Sequence, residues 1–188
     1  MKRWMLIAVF TLMLLSAAPL LAITNGELDN DDHPNVGAIV GYPIGYPADP
    51  ELQPFVLCSG TLVHPRVFLT AGHCTAFIQT YIDLGLITLD DNIRLSFHPY
   101  DAVDPAIGGH RTVSSVITHP DYDEIPGGMG IGWNDVGLLV LDEDAGIPAQ
   151  DLPDEGFLGY LQEEGLLRQG PQGANFTVVG YGATLEWP

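Results

Sequence analysis

The apolar segments of this chain are short, and almost every one ends at Gly, Pro, Asp or Asn. "VGAIVGY" (36–42), "FVLCSGTLV" (55–63), "RVFLTAG" (66–72), "YIDLGLITL" (81–89), "IRLSFH" (93–98), "RTVSSVITH" (111–119), "DVGLLVLD" (135–142) and "NFTVVGYG" (175–182) follow one another. Runs of this length with frequent turn signals predict an all-β barrel or sandwich. No segment sustains a helical period for long. "GFLGYLQEEGLLRQG" (156–170) is the best helical candidate, and its glycines weaken it. Residues 143–174 turn acidic and rich in Gly and Pro, which marks a connector. The strand-like run after it cannot form a sheet alone. It either returns to the first sheet or opens a second domain.

The first 22 residues have the layout of a secretory signal peptide. Lys2 and Arg3 precede an apolar stretch from Trp4 to Leu15, and small residues follow at Ser16–Ala18 and at Ala22. An uncleaved anchor is the alternative, since the stretch approaches the ~20 residues that span a bilayer. Cleavage after Ala22 leaves 166 residues, and cleavage after Ala18 leaves a short Pro19–Ala22 propeptide. The whole chain carries a net charge of −18, and Lys2 is its only lysine. Such a surface excludes nucleic acid as a partner, because phosphates demand Lys and Arg. It also disfavours anionic membranes, so no membrane association is expected once the leader is removed. Salt or acid adaptation fits the charge.

Cys58 and Cys74 are the two cysteines. In an exported chain they read as a disulfide, with two free thiols as the alternative. His73 stands directly before Cys74, at the end of a strand-like run and behind the small residues Ala71 and Gly72. A disulfide there would hold the imidazole in place, as chemistry requires. A structural or metal-linked histidine is the competing reading. Asp135 opens the run 135–142, immediately before its apolar residues. A carboxylate at the mouth of a core strand is costly without a partner. A histidine Nδ1–H is a suitable one, and a turn-capping role is the alternative.

Together these segments resemble the trypsin/chymotrypsin-like serine endopeptidases. "CSGTLVHPRVFLTAGHC" (58–74) is similar to that family's histidine motif, and "NDVGLL" (134–139) to its aspartate motif. "ITNGE" (23–27) is similar to its mature N-terminus, and "VVGYG" (178–182) to the strand that opens its second barrel. The resemblance implies a double antiparallel β-barrel of which only the first barrel and the first strand of the second are present. On that reading residues 1–22 are the signal peptide and 23–146 the first barrel. Residues 147–188 are a connector and the start of an incomplete second barrel. It further implies that His73 is the general base and acid, that Asp135 orients it, and that Cys58–Cys74 is a structural disulfide. Ile23 would be the mature N-terminal residue, freed by signal peptidase. Protein or peptide is the implied substrate, with no cofactor and no metal.

The family's Gly-Asp-Ser-Gly-Gly motif is absent from this sequence. After the leader the serines are Ser59, Ser96, Ser114 and Ser115, all before Asp135. A His–Asp pair without a nucleophile has nothing to activate, so the chain is expected to be a truncated, inactive endopeptidase. A non-enzymatic relative used as a binding module is the alternative. Other signals are weaker. "GGMGIG" (127–132) lacks the strand-loop-helix context of a phosphate loop and reads as a flexible loop beside the cleft. "DNDDH" (29–33) lacks the glycine and glutamate of a calcium loop and reads as an acidic turn. Asn175-Phe176-Thr177 is a glycosylation sequon inside an expected strand.

Overall fold

A computed structural model describes residues 26–49, 51–125, 132–168 and 173–181. All but the first two of these belong to one compact unit, Leu28–Tyr181. Ile23 and the leader lie outside the described residues.

Six strands close a barrel: β1 (Val36–Gly41), β2 (Phe55–His64), β3 (Val67–Thr70), β4 (Ile93–Ser96), β5 (Arg111–Thr118) and β8 (Gly137–Leu141). Their order around the barrel is β1-β2-β3-β8-β5-β4, and every pairing is antiparallel. The all-β expectation is met, and closure leaves this sheet no open edge. β2 and β3 form a hairpin around His64-Pro65-Arg66, with Leu62 opposite Phe68. Proline cannot donate to a ladder, so it falls at the turn. A small ribbon, β6 (Asp123–Glu124) with β7 (Gly132–Trp133), stands apart from the barrel. Most of "GGMGIG" lies outside the described residues. Gly132, its last residue, belongs to β7.

Inward positions of the strands fill the barrel. Ile39, Leu62, Phe68, Leu95, Val113, Leu139 and Leu141 are fully or almost fully buried and form one cluster. Phe68 meets Phe97 edge to face, with ring centroids 5.8 Å apart. β8 alternates strictly, with Leu139 and Leu141 inside, as a half-buried strand should.

Two expected strands are not strands. The run 81–89 divides between the end of helix α1 (Gly72–Asp83), a turn, and the first residue of the short helix α2 (Leu89–Asn92). Tyr81, Ile82 and Ile87 suggest a strand by type. The spacing of Tyr81 and Ile82 from Cys74, Phe77 and Ile78 instead follows the helical i, i+3, i+4, i+7, i+8 rule, and Ile78 and Ile82 pack on the barrel core. The run 175–182 carries no ladder over its described residues. It does return to the first barrel. The Tyr181 amide donates to Ser59 Oγ at 2.8 Å, and the Tyr181 hydroxyl donates to the His98 carbonyl at 2.9 Å. Its ring packs on Ala38, Val40 and Ala102. The helical expectation within 156–170 is met by α3 (Phe157–Glu163).

Candidate active site

His73 lies in the first turn of α1, and that turn lacks its own cap. Ala71, at the N-cap position, offers no side-chain acceptor. The first amides of any helix need external partners. Asp135 supplies one from across the fold: the His73 amide donates to its Oδ1 at 2.7 Å. The same carboxylate meets the imidazole, with His73 Nδ1 2.9 Å from Oδ2 and 3.2 Å from Oδ1. One carboxylate therefore fixes both the backbone and the ring of His73. The His73 side chain is 36% exposed and that of Asp135 22%. The ring is reachable from solvent, while the carboxylate behind it is more sheltered.

Two glycines let these elements meet. A Cβ at Gly72 would lie 2.9 Å from the Val136 amide nitrogen and 3.0 Å from its carbonyl oxygen. A Cβ at Gly137 would lie 2.3 Å from Thr75 Oγ1 and 2.6 Å from its Cγ2. Gly72 thus serves close approach between two backbones. Nothing larger could bring the start of α1 against the segment that enters β8. Behind the contact runs a chain of hydroxyls. Thr118 Oγ1 donates to Thr75 Oγ1 at 2.8 Å, and Thr75 Oγ1 donates to the Gly72 carbonyl at 2.9 Å. Asn134 takes the left-handed conformation at φ 53°, which Asn tolerates better than most residues. Its side-chain amide donates to the Asp121 carbonyl at 2.9 Å. These contacts set the angle at which Asp135 leaves the chain. Nothing in the local sequence marks Thr75, Thr118 or Gly137 as residues that position the pair. Only the "ND" dipeptide before β8 carried a signal for Asn134.

The Cys58–Cys74 disulfide is formed, with a Cα–Cα distance of 6.4 Å. It ties α1 to β2 directly beside His73. The two sulfurs and a ring nitrogen of His73 lie within 4.8 Å of one another. That group does not make a metal centre, because both sulfurs are consumed by the disulfide and neither is a thiolate. Tyr122, whose ring lies against Gly72, has its phenol pushed up, chiefly by desolvation and next by the Asp135 carboxylate.

Among the described residues the hydrogen bonds of His73 go to Asp135 and none to a serine. Ser59 Oγ accepts from Tyr181, Ser96 is fully buried, and Ser114 donates to the Val140 carbonyl. In "DNDDH", Asp29 takes the His33 amide at 2.9 Å and its Nδ1 at 2.5 Å. That segment is a self-satisfied turn.

A family model described as Trypsin matches residues 49–185. The chain belongs to the trypsin family. Among its relatives, human Granzyme M is 39% identical over 88 residues, which cover 46% of this chain and 27% of that protein. Venom serine protease Bi-VSP of Bombus ignitus is 32% identical over 103 residues, 53% of this chain and 24% of that protein. The matched part thus spans about a quarter of the length of these trypsin-family relatives. Inactive serine protease PAMR1 of Pongo abelii is 33% identical over 76 residues, covering 38% of this chain and 10% of that protein. In fold the chain resembles the VesB protease of Vibrio cholerae, with a TM-score of 0.50 and 18% identity over 72% of this chain and 35% of that one. Among the described residues no helix is long and apolar enough to cross a membrane.

Proposed function

We propose that this trypsin-family chain carries the acid–base half of an exported serine endopeptidase centre. His73 is the proton carrier, and Asp135 is the group that orients it. The observation behind this reading is the double engagement of His73 by one carboxylate, at 2.7 Å on its amide and 2.9 Å on Nδ1. A carboxylate facing Nδ1 favours the tautomer with the proton there, which leaves the Nε2 lone pair free. That lone pair accepts a proton from an attacking hydroxyl and returns it to a leaving amine. Asp135 stabilises the imidazolium formed in between. The disulfide supports export, because such bonds persist in oxidising compartments. Signal cleavage before Ile23 belongs to the same reading. Protein or peptide is the substrate, and the chemistry calls for no cofactor.

The centre needs a hydroxyl nucleophile and oxyanion donors, and no serine follows Asp135 in these 188 residues. The chain by itself is therefore predicted to hydrolyse no peptide and to take up no fluorophosphonate. A second reading, a non-enzymatic binding module, is favoured by similarity to a relative named an inactive protease. Fluorophosphonate labelling of the secreted protein from its natural source separates the two. A labelled band that yields peptides of this sequence supports the endopeptidase. An unlabelled one supports the module. The dyad has its own test. Ring ¹⁵N shifts of His73, taken where the imidazole is neutral, are expected to show the Nδ1–H tautomer, and Asp135→Asn is expected to abolish that preference. A dominant Nε2–H form in the unsubstituted protein sinks the proposal.

A further inference from the structure

Helix α1 carries His73 in its first turn and is long enough to do more than hold it. Its core-facing side is Cys74, Thr75 and Ile78, with Ile82 packed on the same cluster. Positions 73, 77 and 81 are successive one-turn steps along a different flank, and Leu84 at the C-cap continues it. That flank is apolar and open to solvent. Phe77 is 45% exposed, Tyr81 37% and Leu84 65%. Phe77 and Tyr81 are stacked, with ring centroids 4.6 Å apart and planes tilted by 36°. The chain holds 24 acidic residues, yet the helix carries a single carboxylate, Asp83, which accepts from Gln79 Nε2 at 2.8 Å. An aromatic strip thus begins at the reachable imidazole and runs along one helix edge.

We propose that Phe77 and Tyr81 are specificity-determining residues. They form a shelf that receives bulky apolar side chains of the peptide whose backbone lies at His73. The occupant is a peptide substrate, so the proposal rests on the endopeptidase reading of the dyad. Continuity carries it: the strip and the imidazole share one helix, at one-turn intervals. The spacing also sets which substrate positions matter. A helix rises ~1.5 Å per residue, which places Phe77 about 6 Å and Tyr81 about 12 Å along the axis from His73. An extended peptide advances ~3.3 Å per residue. Side chains about two and about four residues from the group at His73 therefore meet the two rings. Offset aromatic contacts favour Phe, Tyr or Trp there over aliphatic residues of similar size.

The test is a binding titration on the full 188-residue chain, followed by NMR. The probes are a capped decapeptide with two phenylalanines spaced two residues apart, and the same peptide with serine at both places. The phenylalanine peptide is expected to bind about tenfold more tightly and to shift both the His73 ring signals and those of Phe77 and Tyr81. The double substitution Phe77→Ser, Tyr81→Ser is expected to remove that preference while leaving the His73 tautomer unchanged. Leu84→Ser, at the most exposed position of the strip, is expected to reduce the preference in part and serves where the double variant does not fold. Equal binding of the two peptides overturns the proposal. So does a preference that survives in the double variant or is undiminished in Leu84→Ser, or one that leaves the His73 signals unmoved. Failure of the dyad reading appears separately, in the His73 tautomer of the peptide-free protein.

Discussion

At the scale of single residues, the site depends as much on two missing side chains as on the two that meet. Gly137 leaves room for Thr75, and Gly72 leaves room for the Val136 backbone. Gly137→Ala is expected to destabilise the fold by about 1–3 kcal/mol, the usual cost of an overpacked core. Thr75→Ala removes the two atoms nearest the new methyl, leaving the Ala71 carbonyl oxygen at 3.0 Å. The double variant should therefore be more stable than the sum of the single effects by at least about 1 kcal/mol, the signature of direct coupling. Thermal melts of the four proteins check this, and strict additivity would refute the close packing. His73 and Asp135 were legible because their motifs sit where a strand ends and where one begins. The glycine-to-backbone contacts were not, since they join segments more than sixty residues apart. Nothing local marks Gly137 as the partner of Thr75.

At the scale of elements, the strands were legible from their alternation and their turn residues, and the length of α1 was not. β-branched and aromatic side chains around 77–82 favour a strand by type, while their spacing favours a helix that packs on a barrel. Tertiary burial of Ile78 and Ile82 decides between them. Two loops are held to the barrel by titratable groups, and each responds to pH. His110 links Tyr42 Oη at 2.6 Å to the Ala102 carbonyl at 2.9 Å, and burial, as the main cause, pulls its pKa below 6.5. A histidine whose folded pKa is depressed contributes stability above its unfolded value of 6.5. That contribution is lost as pH falls through the window below it. His110→Gln should flatten the acid limb of the stability curve just below pH 6.5, and an unchanged limb would exclude His110 as its source. Tyr181 behaves oppositely. Burial, followed by Asp29 and Asp31, pushes its phenol up to about 12. A raised folded pKa means stability that is complete below pH 10 and declines as pH rises from 10 towards 12. Tyr181→Phe should remove that alkaline decline, as followed by phenolate absorbance alongside unfolding.

For the whole molecule, charge is the dominant property, and three of its arginines, Arg66, Arg94 and Arg111, spend their hydrogen bonds on backbone carbonyls. Arg66 donates to the Leu141 carbonyl, Arg94 to those of Leu89, Asp90 and Ile93, and Arg111 to those of Gly109 and Ala145. These guanidiniums close loops against the barrel, and in the hydrogen bonds they make no carboxylate takes part. A net charge of −18 therefore acts largely as self-repulsion, which salt screens over a Debye length of ~10 Å at 0.1 M. The melting temperature is expected to rise between low salt and about 0.5 M NaCl. A flat or falling series would show that the carboxylates are locally compensated. The Cys58–Cys74 link joins residues 16 positions apart in sequence, a closure worth about 3 kcal/mol in the chain-entropy picture. Its wider consequence is mechanical. Ser59 takes the Tyr181 amide, Ser59 neighbours Cys58, and Cys74 neighbours His73. A tug on the far C-terminal segment is thus transmitted through one hydrogen bond and a covalent bridge to the imidazole, as a rope reaches a bell.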